Sequence, residues 1–239
     1  MFRVGGKQPE LWLPTTGTTR KLPDFTQQEG TTTVPLNLDS YESVFVVFAE
    51  PVKAGKSPKV GSVTNYPSPA LLTEISGPWN VSFDQKMRGP VNPVVMPRLQ
   101  PWNEMPNDSV KYYSGTAVYT TGFDLVKLPA NERILLDLGK LSAMGKVYVN
   151  GQYAGGVWTT PYELDITQWV KEGRNDLCVE VVNTWVNRLI GDSRLPASQR
   201  RTWTVVNPFA AANFRFARAG AGDSRGVRAI KLNGTDRLQ

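Results

Sequence analysis

The stretch from Trp185 to Trp203 gathers two kinds of side chain suited to one task. Trp185 and Trp203 offer flat aromatic faces, on which the C–H face of a pyranose can stack. Asn187, Arg188 and Asp192 lie between them and supply planar amide, guanidinium and carboxylate groups that hydrogen-bond neighbouring hydroxyls. Trp158 and Tyr162 extend the set from the segment that follows an Asn150-Gly151 turn. This is the chemistry of holding a polyhydroxylated ring. Each residue also has a plainer reading. Trp185 can cap a core behind a strand, and Trp158 and Trp203 can pack against each other. Asn187, Arg188 and Asp192 can lock a loop through mutual hydrogen bonds. Trp79 alternates with Val81 and Phe83 and belongs to a core face.

Bond-breaking chemistry is narrowly bounded. The chain has no histidine, which excludes a Ser-His-Asp triad, a Cys-His pair, a histidine base and every histidine metal site. One cysteine, Cys178, excludes internal disulfides and cysteine-cluster zinc. It sits in the apolar run Leu177-Cys178-Val179, which predicts a buried core thiol. An enzyme of this composition would be a glycosidase with two carboxylates roughly 5–10 Å apart. Glu163, Asp165, Glu180 and Asp192 are weak candidates, because carboxylates at sandwich edges are ordinarily solvated. No organic cofactor is implied. A structural calcium ion is compatible with Asp84, Asp108, Asp124 and Asp165, but no spacing singles out a site.

Short strands must position these groups. The 239 residues are 40% hydrophobic and 10% aromatic, with 21 Gly and 18 Pro scattered among them, enough for a substantial core with many turns. Residues 1–50 read as a partial β segment of a preceding domain: a turn at Pro14-Thr15-Thr16-Gly17, then β-prone runs at 31–38 and 43–48. Residues 51–70, punctuated by Pro51, Gly55, Pro58, Gly61, Pro67 and Pro69, read as a linker. Residues 71–239 read as repeated strands. They include 79–83, 112–119, 134–138, 146–149 turning through Asn150-Gly151, 162–166, 176–182 and 226–232. Residues 187–225 read as an irregular connection. The fold class is all-β: a jelly-roll-type β-sandwich with a short extra β segment at its N-terminus.

The net charge of +6 is uneven, since residues 187–239 carry ten basic and three acidic side chains. No nucleic-acid-binding motif accompanies these arginines, so no nucleic-acid partner is expected. No apolar stretch approaches the ~20 residues that span a bilayer, so no membrane partner is expected either.

Several motifs occur in a familiar order: Gly77-Pro78-Trp79, Tyr112 to Tyr119, Ile134-Leu135-Leu136-Asp137-Leu138-Gly139, Val147-Tyr148-Val149-Asn150-Gly151, Gly156-Val157-Trp158, Pro161-Tyr162, Gly173-Arg174-Asn175 and Asn183 to Asp192. Together they resemble the sugar-binding (galactose-binding-like) domain of family 2 glycoside hydrolases, and most of all the version found at the C-terminal end of family 106-type α-L-rhamnosidases. Asn187-Arg188-Leu189-Ile190-Gly191-Asp192 and Arg201-Thr202-Trp203-Thr204 are the most specific parts. The resemblance covers residues 75–232. One departure is Ala219 to Gly226, where family members carry a Ser-Gly-Leu-Leu-Gly-Pro-like run. The resemblance implies a non-catalytic carbohydrate-binding or accessory module. Its partners would be a plant or microbial carbohydrate and the catalytic domain of a longer, periplasmic or extracellular bacterial glycosidase. A purely structural domain that orients a catalytic domain, and a small free-standing glycosidase, are the alternatives.

Overall fold

The computed structural model describes residues 1–38, 42–52, 64–67, 69–127, 132–202 and 231–236. The chain divides into two compact units, residues 1–70 with 235–239, and residues 71–234.

The first unit is built on short strands. β1 (Glu10–Leu13) pairs antiparallel with β2 (Thr18–Lys21) across the predicted turn, and β3 (Thr26–Gln28) and β4 (Thr31–Thr33) form a second hairpin. β5 (Phe45–Val47) pairs with the other edge of β1. Leu11, Leu22, Phe25 and Val34 make a small core. Asn65 is buried beside it. Its amide donates to the Asp24 and Pro35 carbonyls at 2.7 and 3.1 Å and accepts the Asp24 N–H at 2.8 Å, so residues near 65 are tied to this unit.

The second unit is an all-β sandwich. Its strands are β6 (Ala70–Glu74), β7 (Trp79–Phe83), β8 (Val94–Met96), β9 (Thr116–Leu125), β10 (Glu132–Asp137), β11 (Met144–Val149), β12 (Gln152–Val157), β13 (Glu163–Asp165), β14 (Gly173–Val182) and β15 (Lys231–Asp236). Among the described residues two α-helices interrupt them, α1 (Asp108–Lys111) and α2 (Val186–Ser193). One sheet has the order β12-β11-β14-β9-β7-β8, the other β13-β10-β15-β6. β9 and β14 form its longest ladder, in register from Gly173↔Leu125 to Val182↔Thr116.

Alternation decides which side chains meet between the sheets. On the six-stranded sheet Trp79, Val81, Tyr119, Phe123, Val147, Val149, Leu177, Val179 and Val181 point inward. On the smaller sheet Ile134 and Leu136 do so, and all belong to one buried cluster. Each such side chain contributes about 1.5–3 kcal/mol relative to exposure. Phe83, Trp102 and Tyr113 meet edge to face with centroids 4.9–5.6 Å apart. The Asn150-Gly151 turn has φ of 51° and 78°, the left-handed pair that a tight hairpin demands.

Three local expectations are corrected. The strand read at 112–119 begins at Thr116. Asn107 caps the Ser109 N–H at 2.9 Å and starts α1, which ends at Lys111 with Tyr112 as its C-cap residue. The irregular connection read at 187–225 opens with α2 and a 3₁₀ turn at Ala197–Gln199. Cys178 is not a core thiol. Its neighbours Leu177 and Val179 take the inward positions, so the period of two turns Cys178 to the partly exposed outer face. Of the alternating run at 226–232, Lys231 and Leu232 open β15, and residues 226–230 lie outside the described residues.

Candidate functional site

Two of the tryptophans singled out by sequence are brought to one end of the six-stranded sheet. Trp158 follows Val157, which opposes Gly145 on β11, and Gly145 opposes Val181 on β14. Trp185 lies just past the same end of β14 and is the N-cap residue of α2. Adjacent strands lie about 4.8 Å apart, so strands β12 and β14 are separated by roughly 10 Å across β11. Trp158 is 64% exposed and Trp185 57% exposed, with Met144 of β11, 47% exposed, at the strand end between them. The core-capping reading of Trp185 is thereby corrected.

Asn187, Arg188 and Asp192 are buried on the inner side of α2. Arg188 Nε meets Asp192 Oδ1 at 2.8 Å, and the Arg188 N–H donates to Ser114 Oγ at 3.0 Å. The second Asp192 oxygen accepts the Arg201 N–H at 2.9 Å, the Thr202 N–H at 2.8 Å and the Thr202 hydroxyl at 2.8 Å. Arg88 reaches to 3.8 Å from Oδ1. Burial by itself pushes the Asp192 carboxyl upward. The hydrogen bonds from Thr202 and Arg201 and the charge of Arg188 outweigh it and hold the group below the ordinary aspartate value.

This carboxylate therefore ties α2 to the segment after it and to the loop around residue 88. Arg201 Nη1 donates to the Lys86 carbonyl at 2.6 Å, and Arg88 Nη2 to that of Gln199. Asn183 completes the attachment, accepting the Gly115 N–H and donating to the Tyr113 carbonyl, both at 2.9 Å. Gly191 is required by close approach, since a Cβ would lie 2.5 Å from Arg188 Nη2 and 2.6 Å from Tyr112 Cβ.

Arginines of the basic C-terminal stretch are thus engaged within the chain. Besides Arg188 and Arg201, Arg194 lies over the Tyr112 ring at 5.2 Å and Arg200 Nε donates to the Leu195 carbonyl at 2.9 Å. Tyr162 is half-buried against the core, its carbonyl accepting the Leu138 N–H at 2.9 Å. Trp203 and the departing stretch 219–226 lie outside the described residues.

The carboxylates considered for catalysis are spread over three elements, β13, β14 and α2. Glu163 and Asp165 share β13, with Asp165 bonded to Thr167. Glu180 faces outward on β14, and Asp192 is sealed in its ion pair. The oxygens considered for calcium are dispersed too. Asp84 caps the Lys86 N–H, Asp108 opens α1, Asp124 pairs with Arg174, and Asp165 bonds Thr167. Among the described residues no three Asp, Glu or Cys side chains gather as a metal set, and the four aspartates do not fit one calcium site.

The partners Arg88, Ser114 and Met144 were not legible in sequence. Arg88 and Ser114 are remote in sequence from α2, and Met144 reaches the edge only through the register of β11. Thr202 and Arg201 stood inside the most specific motif, but their partners Asp192 and Lys86 are set by the fold and not by the motif.

Residues 72–203 match the family described as glycosyl hydrolases family 2, sugar binding domain. A solved rhamnosidase from Novosphingobium sp. PP1Y superimposes with a TM-score of 0.82 at 34% identity, over 98% of this chain and 21% of its own. A Formosa agariphila protein named "Putative beta-glucuronidase" is 39% identical over 142 residues, 59% of this chain and 12% of its own length. The chain spans about a fifth or less of each of these relatives.

Proposed function

The chain belongs to the sugar-binding domain family of family 2 glycosyl hydrolases, and from that premise we propose that it is a non-catalytic carbohydrate-binding module of a larger glycosidase, of the rhamnosidase kind. One observation carries the proposal: Trp158 and Trp185 stand exposed at the same end of a rigid sheet. Exposed tryptophan costs solvation and contributes nothing to the core. Held on strands roughly 10 Å apart, two such rings suit stacking on successive sugar faces. The buried Arg188–Asp192 pair and the Asn183 bonds hold the supporting segments in place before any ligand arrives, which lowers the entropic cost of binding. The engagement of Asp165 with Thr167 and of Asp192 with Arg188 supports a role without chemistry of its own.

A second reading has its own support. Asn187, Arg188 and Asp192 are turned inward, and Asp192 and Arg188 are bonded to other parts of the same domain. That arrangement also suits a domain whose task is to hold a catalytic partner in position.

Tryptophan fluorescence separates the two. On the binding reading, oligosaccharides of rhamnose, galactose or glucose quench emission saturably, and Trp158→Ala or Trp185→Ala reduces the quench with folding intact. Saturating sugar without any change in emission would favour the positioning role.

A further inference from the structure

The outer face of the six-stranded sheet carries a feature that the tryptophan edge does not use. One row of residues crosses five strands: Asn80 opposes Thr120, Thr120 opposes Cys178, Cys178 opposes Tyr148, and Tyr148 opposes Tyr153. Asn80, Thr120, Cys178 and Tyr148 line an open groove of about 710 Å³, joined there by Thr121, Arg174 and Asp176. That volume falls within the ~300–1,000 Å³ of small-molecule sites. Cys178 lies four residues from Val182, so the groove is about 13 Å along the strand from the end that carries Trp185.

Neighbouring groups engage part of its polar lining. Arg174 crosses flat over Gly122, where a Cβ would come within 2.4 Å of the guanidinium, and its Nη1 pairs with Asp124 at 3.2 Å. The Asp176 N–H donates to Asn150 Oδ1 at 3.0 Å, and Asn150 in turn bonds the buried Asn175 at 2.9 Å. The Asp176 carboxylate itself has no partner among the described residues. Tyr148 and Tyr153 stand with ring centroids 5.5 Å apart at one end of the row.

We propose that this groove is a second glycan-binding site, taking a short neutral oligosaccharide separately from the tryptophan edge. The inference rests on the sugar-binding reading above. The lining sets the amide, hydroxyl and thiol groups of Asn80, Thr120, Thr121 and Cys178 beside Pro78, Leu177 and Tyr148, the mixture of polar and flat apolar groups that the two kinds of surface on a sugar ring require. A carboxylate, a planar guanidinium and an amide match ring hydroxyls, and the tyrosines supply the stacking face. With Arg174 already paired to Asp124, the remaining charge belongs to Asp176, which favours a neutral sugar over a uronic acid.

Cys178 is the chain's single cysteine and lines the groove, so it reports occupancy directly. The full chain is alkylated with iodoacetamide at alkaline pH, with and without di- to tetrasaccharides of rhamnose, galactose and glucose, while tryptophan emission is followed in the same samples. A bound sugar at ten times its Kd slows alkylation about tenfold. Asp176→Asn, which preserves shape, and Tyr148→Ala both reduce that protection. Tryptophan quenching without protection of Cys178 would overturn the groove and leave the edge site standing. Loss of both signals overturns the sugar-binding reading itself. A thiol that is unreactive without sugar, or protected increasingly with protein concentration, means that the chain or a second copy covers the groove, and also overturns the proposal.

Discussion

At the residue scale, two exposed tryptophans and one buried carboxylate divide the work. Trp158 and Trp185 contribute little to the core, so Trp158→Ala and Trp185→Ala should change stability by no more than about 0.5 kcal/mol while weakening sugar binding. Chemical denaturation beside the fluorescence titration checks both halves of that statement. Asp192 behaves in the opposite way. It is 1% exposed and accepts three hydrogen bonds besides its ion pair, so Asp192→Ala leaves Arg188 buried without its partner. The expected loss is about 3–5 kcal/mol, read as a fall in the denaturation midpoint. The acid response has a definite sign. The folded carboxyl has a lowered pKa, so its contribution is complete above the ordinary aspartate value of 3.8. It is lost as pH falls from there through the folded pKa. Removing Asp192 should flatten the acid limb of the stability profile in that range and leave the shape near neutrality unchanged. An acid limb identical in wild type and Asp192→Asn contradicts this assignment.

At the element scale, α2 packs closely against α1. Gly191 lies against both Arg188 and Tyr112, so Gly191→Ala overpacks the contact and should cost about 1–3 kcal/mol in thermal or chemical melts. The helix was also the element least legible in sequence. It has eight residues, and three of its inward positions are Asn187, Arg188 and Asp192, so no apolar stripe announced it. The strands were legible because Trp79-Val81-Phe83 and Leu177-Val179-Val181 alternate cleanly and Asn150-Gly151 marks its own turn. The same alternation, followed one residue further, places Cys178 outside. The apolar character of its neighbours had pointed to a buried thiol, and the period of two outweighs it. At the start of β9, local capping by Asn107 overrides the β-prone aromatics Tyr112 and Tyr113. Of the candidate site, the exposed ring pair was readable as residue types. Its convergence depends on the β12–β11–β14 register, which no local motif encodes.

At the scale of the whole molecule, a sandwich of two sheets leaves aromatic rings exposed at a strand end and polar groups on an outer face, while the polar groups of α2 are buried within the frame. The mixture explains why a sugar-recognition set read from sequence splits in space: burial claims Asn187, Arg188 and Asp192, and exposure leaves Trp158 and Trp185. The central claim is that the exposed edge binds carbohydrate. A glycan-array screen of the intact chain, followed by calorimetry on the best rhamnose, galactose or glucose oligomer, tests it most directly. The account predicts saturable binding with Kd up to the millimolar range, about −4 kcal/mol or stronger, reduced in a Trp158→Ala/Trp185→Ala double variant that melts like wild type. Binding to no glycan, or affinity unchanged in that well-folded double variant, would contradict it.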